Sequence, residues 1–353
     1  MRFNWGKKDR SEQHPPSQLL MSLARFFELS PNQVAAWFDA STNTLTLPFA
    51  CQSQQETLSE TLKQAEVGPL PTIQQQVMLS GAPQRRLRNI KNLVAVASGK
   101  GGVGKSASTV NLALALQAEG ASVGILDADI YGPSIPTMLG NEGQSPQTQD
   151  DKTMQPMESL GLKANSIGYL VPPDDATVWR GPMASRALQQ LLDETDWGEL
   201  DYLLIDMPPG TGDIQLTLAQ QIPVSGAVVV TTPQNLALAD ATKAIDMFRK
   251  VDVDVLGVLE NMSYHQCKNC GYQEYLFDQG GGQQISQHFQ VPLLGQIPLD
   301  TDIRTCADSG QSLLAKPSEL TAAYQSAARQ LARRLYLSSL SQPQAIDISV
   351  QSD

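Results

Sequence analysis

The run Gly99-Lys100-Gly101-Gly102-Val103-Gly104-Lys105-Ser106 carries the most specific chemistry in the chain. It satisfies the phosphate-loop pattern G-x-x-x-x-G-K-S, in which glycines let backbone N–H groups wrap a phosphate. A following helix N-terminus favours the anion. Lys105 would neutralise the β- and γ-phosphates of ATP, and the Ser106 hydroxyl would ligate Mg²⁺. Asp206 opens Asp206-Met207-Pro208-Pro209-Gly210-Thr211-Gly212-Asp213, directly after the apolar Leu203-Leu204-Ile205. A carboxylate there fits one that orders Mg²⁺ through its water, and Gly210 and Gly212 suit a loop that moves when γ-phosphate is lost. Asp127-Ala128-Asp129 closes another apolar run. Both carboxylates are then expected at the C-terminal edge of a parallel sheet, where open α/β folds bind ligands.

A second constellation is His265-Gln266-Cys267-Lys268-Asn269-Cys270-Gly271. Two thiolates at this spacing grip one metal, but a complete site needs about four ligands. One pair per chain is therefore half a site. A two-fold dimer would unite two pairs as Cys₄, suited to a bridging [4Fe–4S] cluster or to zinc. His265 is either an extra ligand or an ordinary surface histidine. A thioredoxin-type redox pair would instead open a helix after a strand in a much smaller fold. Cys51 and Cys306 have no partner spacing and read as buried, inert thiols.

These residues must be held by alternating strands and helices. Continuous apolar runs predict strands at 93–97, 123–127, 202–206, 227–231, 255–259 and 293–297, as in Val228-Val229-Val230. Helical spacing falls between them, at 104–119, 183–194, 236–250 and 282–289. Such alternation implies βαβ units and a mainly parallel sheet flanked by helices, an α/β fold. Residues 1–88 differ in texture. Helix-like spacing from Leu19 to Trp37 is broken at Ser30-Pro31, 44–47 alternates like a strand, and 55–65 reads as a polar helix. The domain reading is a small N-terminal α+β domain and linker at 1–88, an ATPase domain with the C-x-x-C site at 89–340, and a frayed tail at 341–353, the basic stretch 81–91 reading as a solvated connector across the first boundary. Residues 141–155, rich in Gln, Asp, Ser and Thr, are expected to be a mobile loop.

The 353 residues carry 25 Lys and Arg against 36 Asp and Glu, a net charge of −11 that argues against a general nucleic-acid binder. No run approaches the roughly 18–20 apolar residues of a membrane span, so no stable membrane association is expected. The first ten residues are charged with no apolar segment behind them, which does not read as a secretory signal. Four cysteines are too few for a disulfide scaffold, and a reducing cytoplasm is the expected location.

The loop with two lysines resembles the deviant Walker A group, which includes MinD, ParA, the nitrogenase iron protein and the Mrp proteins. Asp129-Ile130-Tyr131-Gly132-Pro133-Ser134, the loop 206–213, Glu260-Asn261-Met262-Ser263 and the Cys267/Cys270 pair narrow this. Together they resemble the Mrp (ApbC-like) family of iron–sulfur cluster carrier ATPases, over roughly residues 90–337. The resemblance implies a P-loop NTPase fold and a nucleotide-sandwich homodimer in which Lys100 reaches the partner's nucleotide. It implies that Asp129 positions the attacking water and that Asn261 contacts adenine. It further implies that Cys267 and Cys270 of two subunits bridge a [4Fe–4S] cluster taken from a donor and delivered to apo iron–sulfur proteins. The Asp-Pro-Glu and Pro-Gly-Cys-Pro signatures of the family's N-terminal domain are missing from residues 18–80, which leaves Cys51 as a remnant. The alternative is a MinD- or ParA-like positioning ATPase acting on membrane or DNA, with 320–340 as a membrane-surface helix; a third reading is an electron-transfer reductase.

Overall fold

Among the described residues the strands form a three-stranded and an eight-stranded sheet, with two further two-stranded ribbons. The computed structural model describes residues 17–79, 87, 89–149, 152–171 and 181–341, and the chain divides into two compact units between Gln76 and Val77. The first contains α1 (Ser17–Phe27), α2 (Pro31–Val34), β1 (Phe38–Asp39), β2 (Thr44–Leu47), α3 (Gln55–Gln64) and β3 (Thr72–Gln75). Its sheet runs β1-β2-β3, with β2 and β3 parallel. Ser30 and Gln33 form a capping box that starts α2 after the break, with Ser30 N donating to Gln33 Oε1 at 2.9 Å. Leu23, Phe27, Trp37, Leu47, Phe49 and Leu58 fill its core. The α+β texture of the N-terminal segment is thus what the structure has.

The second unit contains β4 (Ile90–Ala97), α4 (Lys105–Ala118), β5 (Val123–Asp127), α5 (Ile135–Met138), β6 (Thr148–Gln149), β7 (Thr153–Met154), β8 (Met157–Ser159) and β9 (Leu162–Ser166). It continues with α6 (Gly181–Asp193), β10 (Leu200–Asp206), α7 (Asp213–Gln221), β11 (Gly226–Thr231), α8 (Asn235–Lys250), β12 (Val255–Glu260), β13 (His265–Gln266) and β14 (Gln273–Glu274). It ends with α9 (Gly281–Phe289), β15 (Leu293–Gln296), α10 (Thr301–Ser309) and α11 (Glu319–Ser341). Eight strands form one sheet in the order β15-β12-β11-β4-β10-β5-β9-β8, parallel except for β8.

Alternation along each strand divides the core. Leu93, Ala95, Leu203, Ile205, Ala227 and Val229 face α6–α9, while their neighbours pack towards α4 and α11. Burying each of the leucine, isoleucine and valine side chains contributes about 1.5–3 kcal/mol, more than an exposed ion pair, so apolar layering sets the fold. Leu320, Tyr324, Ala327, Leu331 and Leu335 of α11 are buried, and Arg329 pairs with the fully buried Glu119 at 2.7 Å. The apolar face of α11 is therefore used inside the protein rather than left for a membrane surface. No helix among the described residues is long and apolar enough to cross a membrane.

Three expectations need correction. Residues 141–155 are not simply a loop, because β6 and β7 pair antiparallel within them. The edge strand β8 and its neighbour β9 carry no apolar run: β9 reads Leu162-Lys163-Ala164-Asn165-Ser166, and its Asn165 and Ser166 are buried for the hydrogen bonds they make. Lys91 belongs to β4 rather than to a linker, and its Nζ lies 2.7 Å from Asp201 Oδ1. The basic residues Arg85, Arg86 and Arg88 and the tail 342–353 lie outside the described residues.

Candidate nucleotide and metal sites

Parallel pairing brings the strand ends into register. Asp206 of β10 stands opposite Val96 of β4 and Asp127 of β5, so the phosphate loop and both carboxylates meet at one sheet edge. The chain leaves β4 through Ser98 and enters α4 at Gly104, whose φ of +80° only glycine adopts cheaply. Gly99 is required for space, since a methyl there would stand 2.1 Å from the Asp240 backbone carbon.

Lys105 is the hub. Its Nζ lies 2.7 Å from Asp206 Oδ2 and 3.9 Å from Asp129 Oδ2. Ser106 Oγ donates to Asp206 Oδ2 at 2.6 Å, and Thr109 Oγ1 donates to Asp206 Oδ1 at 2.7 Å. Thr109 was missed in the sequence, although its spacing of three from Ser106 puts both on one helix face. Asp127 is fully buried and faces inward. It accepts from Asp129 N at 3.1 Å, Ile135 N at 3.2 Å and Ser166 Oγ at 3.0 Å. Burial, and next the Asp206 charge, push its carboxyl up to about 7. The Asp129 carboxyl is also pushed up by burial, with Lys105 opposing. Asp127 therefore holds the ends of the loop that carries Asp129, while Asp129 itself stays partly open to solvent.

The loop after β10 is tied to the same edge. Gly210 N donates to Ser98 O at 2.9 Å, and Gln215 Nε2 donates to Pro209 O. Lys100 does not join the Lys105 cluster; its Nζ reaches Gln234 Oε1 at 3.3 Å, at the start of α8. Asn261 follows β12 and rests on the phosphate loop. Its Nδ2 donates to Val103 O at 2.9 Å, and a methyl on Gly104 would stand 2.2 Å from that nitrogen. Its buried Oδ1 has no donor among the described residues.

This edge fits ATP with Mg²⁺. Asp129 and Asp206 set two carboxyls against the Lys105 ammonium, a surplus that a divalent cation would balance. The turn leaves open space where side chains at Gly101 and Gly102 would project, as a loop that wraps a phosphate with its backbone needs. Bound Mg²⁺ would supply charge neutralisation at the phosphates, with Ser106 and Asp206 the residues placed to hold it.

The cysteine pair lies apart, on the turn between β13 and β14, which pair antiparallel through His265/Glu274 and Gln266/Gln273. Cys267 N donates to Tyr272 O at 2.9 Å, and Gly271, at φ +72°, returns its N–H to Cys267 O at 2.8 Å. Cys267 is half-buried and Cys270 exposed. The N–H groups of Cys270 and Asn269 pull the Cys267 thiol below its ordinary value, which favours the thiolate a metal binds. His265 Nδ1 is 3.2 Å from Leu299 O, so the ring braces the hairpin on the segment before α10. Among the described residues no three His, Cys, Asp or Glu side chains are gathered to hold a metal. Cys51 is buried, its thiol donating to Phe49 O at 3.3 Å. Cys306 is only half-buried, a departure from the buried thiol expected for it, because it sits on the short surface helix α10.

The family model for ParA, described as the NUBPL iron-transfer P-loop NTPase, matches residues 89–335. The chain belongs to this family. The iron–sulfur cluster carrier protein of Escherichia coli (strain K12) is 53% identical over 312 residues, covering 85% of each chain. The iron–sulfur cluster transfer protein NUBPL of Mus musculus is 45% identical over 282 residues, covering 78% of this chain and 86% of that one. Among solved structures, the nucleotide-binding protein of Archaeoglobus fulgidus in complex with ADP is 40% identical with a TM-score of 0.59, covering 66% of this chain and 91% of that one. The cell division ATPase MinD of Pyrococcus furiosus, 20% identical with a TM-score of 0.51 over 69% of this chain and 98% of its own, shares the fold. For this NUBPL-type NTPase, the Mrp resemblance and the P-loop fold expected from the motifs are both upheld.

Proposed function

We propose that the protein is a cytoplasmic, homodimeric ATPase that carries a [4Fe–4S] cluster between subunits and passes it to apo iron–sulfur proteins. The observation that carries this reading is the coexistence of a complete phosphate-loop edge with a solvent-facing thiol pair that offers only half a ligand set. Relatives described as iron–sulfur cluster carriers, 53% identical over most of the chain, support it. Free thiols at Cys267 and Cys270 suit a reducing compartment.

In this reading Lys105 and the loop 99–106 bind the phosphates, and Lys100, standing clear of its own cluster, reaches the partner's nucleotide. Asn261 Oδ1, buried and lacking a donor, suits the exocyclic amine of adenine. Asp129 orients the attacking water, because it is the carboxylate of the edge that keeps solvent access beside Lys105. ATP turnover then alters the dimer interface that grips the cluster. Anaerobic purification with iron and sulfide analysis, a visible spectrum and sizing of one sample tests the whole reading. A monomer without labile sulfide would overturn it.

The two acidic roles separate by mutation. Asp206→Asn is expected to weaken Mg²⁺-dependent nucleotide binding, since Asp206 gathers Ser106, Thr109 and Lys105. Asp129→Asn should bind ATP normally yet hydrolyse it about 10²- to 10⁴-fold more slowly, the usual scale of acid–base assistance. Nucleotide titration beside a phosphate-release assay distinguishes them. Normal hydrolysis by Asp129→Asn would move the water-positioning role elsewhere along this edge.

A further inference from the structure

The cysteine hairpin is fastened to the body of the protein by a residue that metal ligation does not require. Lys268 stands between the two thiols in sequence, and its Nζ lies 2.8 Å from Asp302 Oδ1 and 3.2 Å from Asp300 Oδ1. Asp300 caps α10, its side chain accepting from Asp302 N at 2.7 Å, so the ammonium grips the ordered first turn of that helix. Below it, Leu299 N donates to Tyr264 O at 2.7 Å.

The other end of α10 meets the segment that follows α5. The helix closes at Gly310, φ +63°, which packs against Gly140, φ +70°, so tightly that a methyl on Gly310 would stand 2.3 Å from the Gly140 Cα. Gly140 follows α5, and α5 begins at Ile135, whose N–H is held by Asp127 at the end of the loop that carries Asp129. A nine-residue helix spans about 13 Å at 1.5 Å per residue and does not compress. One stiff element thus touches the segment after Asp129 with one end and the cysteine hairpin with the other.

We propose that α10 is a strut that conveys the position of the Asp129 loop to the cluster hairpin, and that Lys268 is the positioning residue that couples the hairpin to it. The inference rests on the cluster-carrier reading. Displacement of the Asp129 loop shifts α5, the glycine contact leaves no slack, and the paired Lys268 draws the two thiols with the helix. Because the ion pair is largely exposed, its leverage is bounded at about 1.5- to 5-fold in a rate or equilibrium.

The test uses reconstituted full-length holoprotein and follows iron loss to a chelator with and without a non-hydrolysable ATP analogue. The wild type should lose iron at rates that differ between the two states. Lys268→Met and Asp302→Asn should each bring the ratio of the two rates towards one by about 1.5- to 5-fold, with iron and sulfide loading unchanged. Lys268→Arg should keep the wild-type ratio. If Lys268 only stabilised the hairpin, iron would leave faster by the same factor in both states, and an unmoved ratio overturns the strut. A wild-type ratio of one overturns it as well. Absence of labile sulfide in the wild type would instead remove the carrier reading on which it stands.

Discussion

Cys267→Ala and Cys270→Ala are each expected to lose the cluster and its transfer entirely while retaining ATP binding. A cubane cluster takes four protein ligands, one chain offers two adjacent thiols, and a two-fold axis supplies the others. Losing one thiol per chain leaves at most two ligands per dimer, too few to retain the cluster. The phosphate loop does not depend on the thiols, since its hydrogen bonds run to Asp206, Ser98, Gln234 and Asn261 and, among the described residues, none runs to the hairpin. Cys51→Ala and Cys306→Ala should keep the cluster, because one thiol is sealed in the N-terminal unit and the other has its pKa pushed up by burial on α10. Reconstituted wild type should approach about four irons per dimer with matching labile sulfide. Stoichiometric zinc with no sulfide would show instead that the thiols hold a different metal, and the carrier proposal would fall.

How far the sequence foretold this arrangement differs between the two sites. The nucleotide edge was legible because each part is local: Gly99 to Ser106 is one turn, and Asp127 and Asp206 end continuous apolar runs whose parallel pairing sets them side by side. Strands buried on both faces announce themselves, and β5 occupies the predicted residues 123–127. Strand β9 was invisible for the opposite reason. Its Asn165 and Ser166 are polar and yet buried, because Asn165 donates to Thr195 Oγ1 at 2.7 Å and Ser166 donates to Asp127. Only the folded neighbours explain them. The cysteine spacing was equally plain, but what holds it was not: Lys268 and Asp302 lie 34 residues apart, and nothing in their local patterns joins them. Asn261 is intermediate. Its place after a strand was readable, whereas its bond to Val103 spans 158 residues.

Lys105→Ala should abolish hydrolysis, with a fall in rate of at least about 10²–10³, the loss typical when one preorganised charge-stabilising donor is removed. Lys105 is 6% exposed and its ammonium is held between Asp206 and Asp129, so its charge acts where water screens little. The same geometry predicts a second effect. Without Lys105 the buried Asp206 loses the ammonium that pairs with it while Asp127 remains beside it, and breaking such a pair costs about 3–5 kcal/mol. A melting curve must therefore accompany the kinetics, and Mg²⁺ should recover part of the lost stability by supplying positive charge to the carboxylates. Lys100→Ala is the control that isolates chemistry from folding. Among the described residues its side chain hydrogen-bonds Gln234 at 3.3 Å, so its removal should leave the melting curve and protomer ATP binding nearly unchanged. Hydrolysis should nonetheless fall, because the charge it supplies is proposed to act across the dimer. Equal hydrolysis by Lys100→Ala and wild type would sink the trans-acting lysine, and an unaltered rate in Lys105→Ala would remove ATP turnover from this edge altogether.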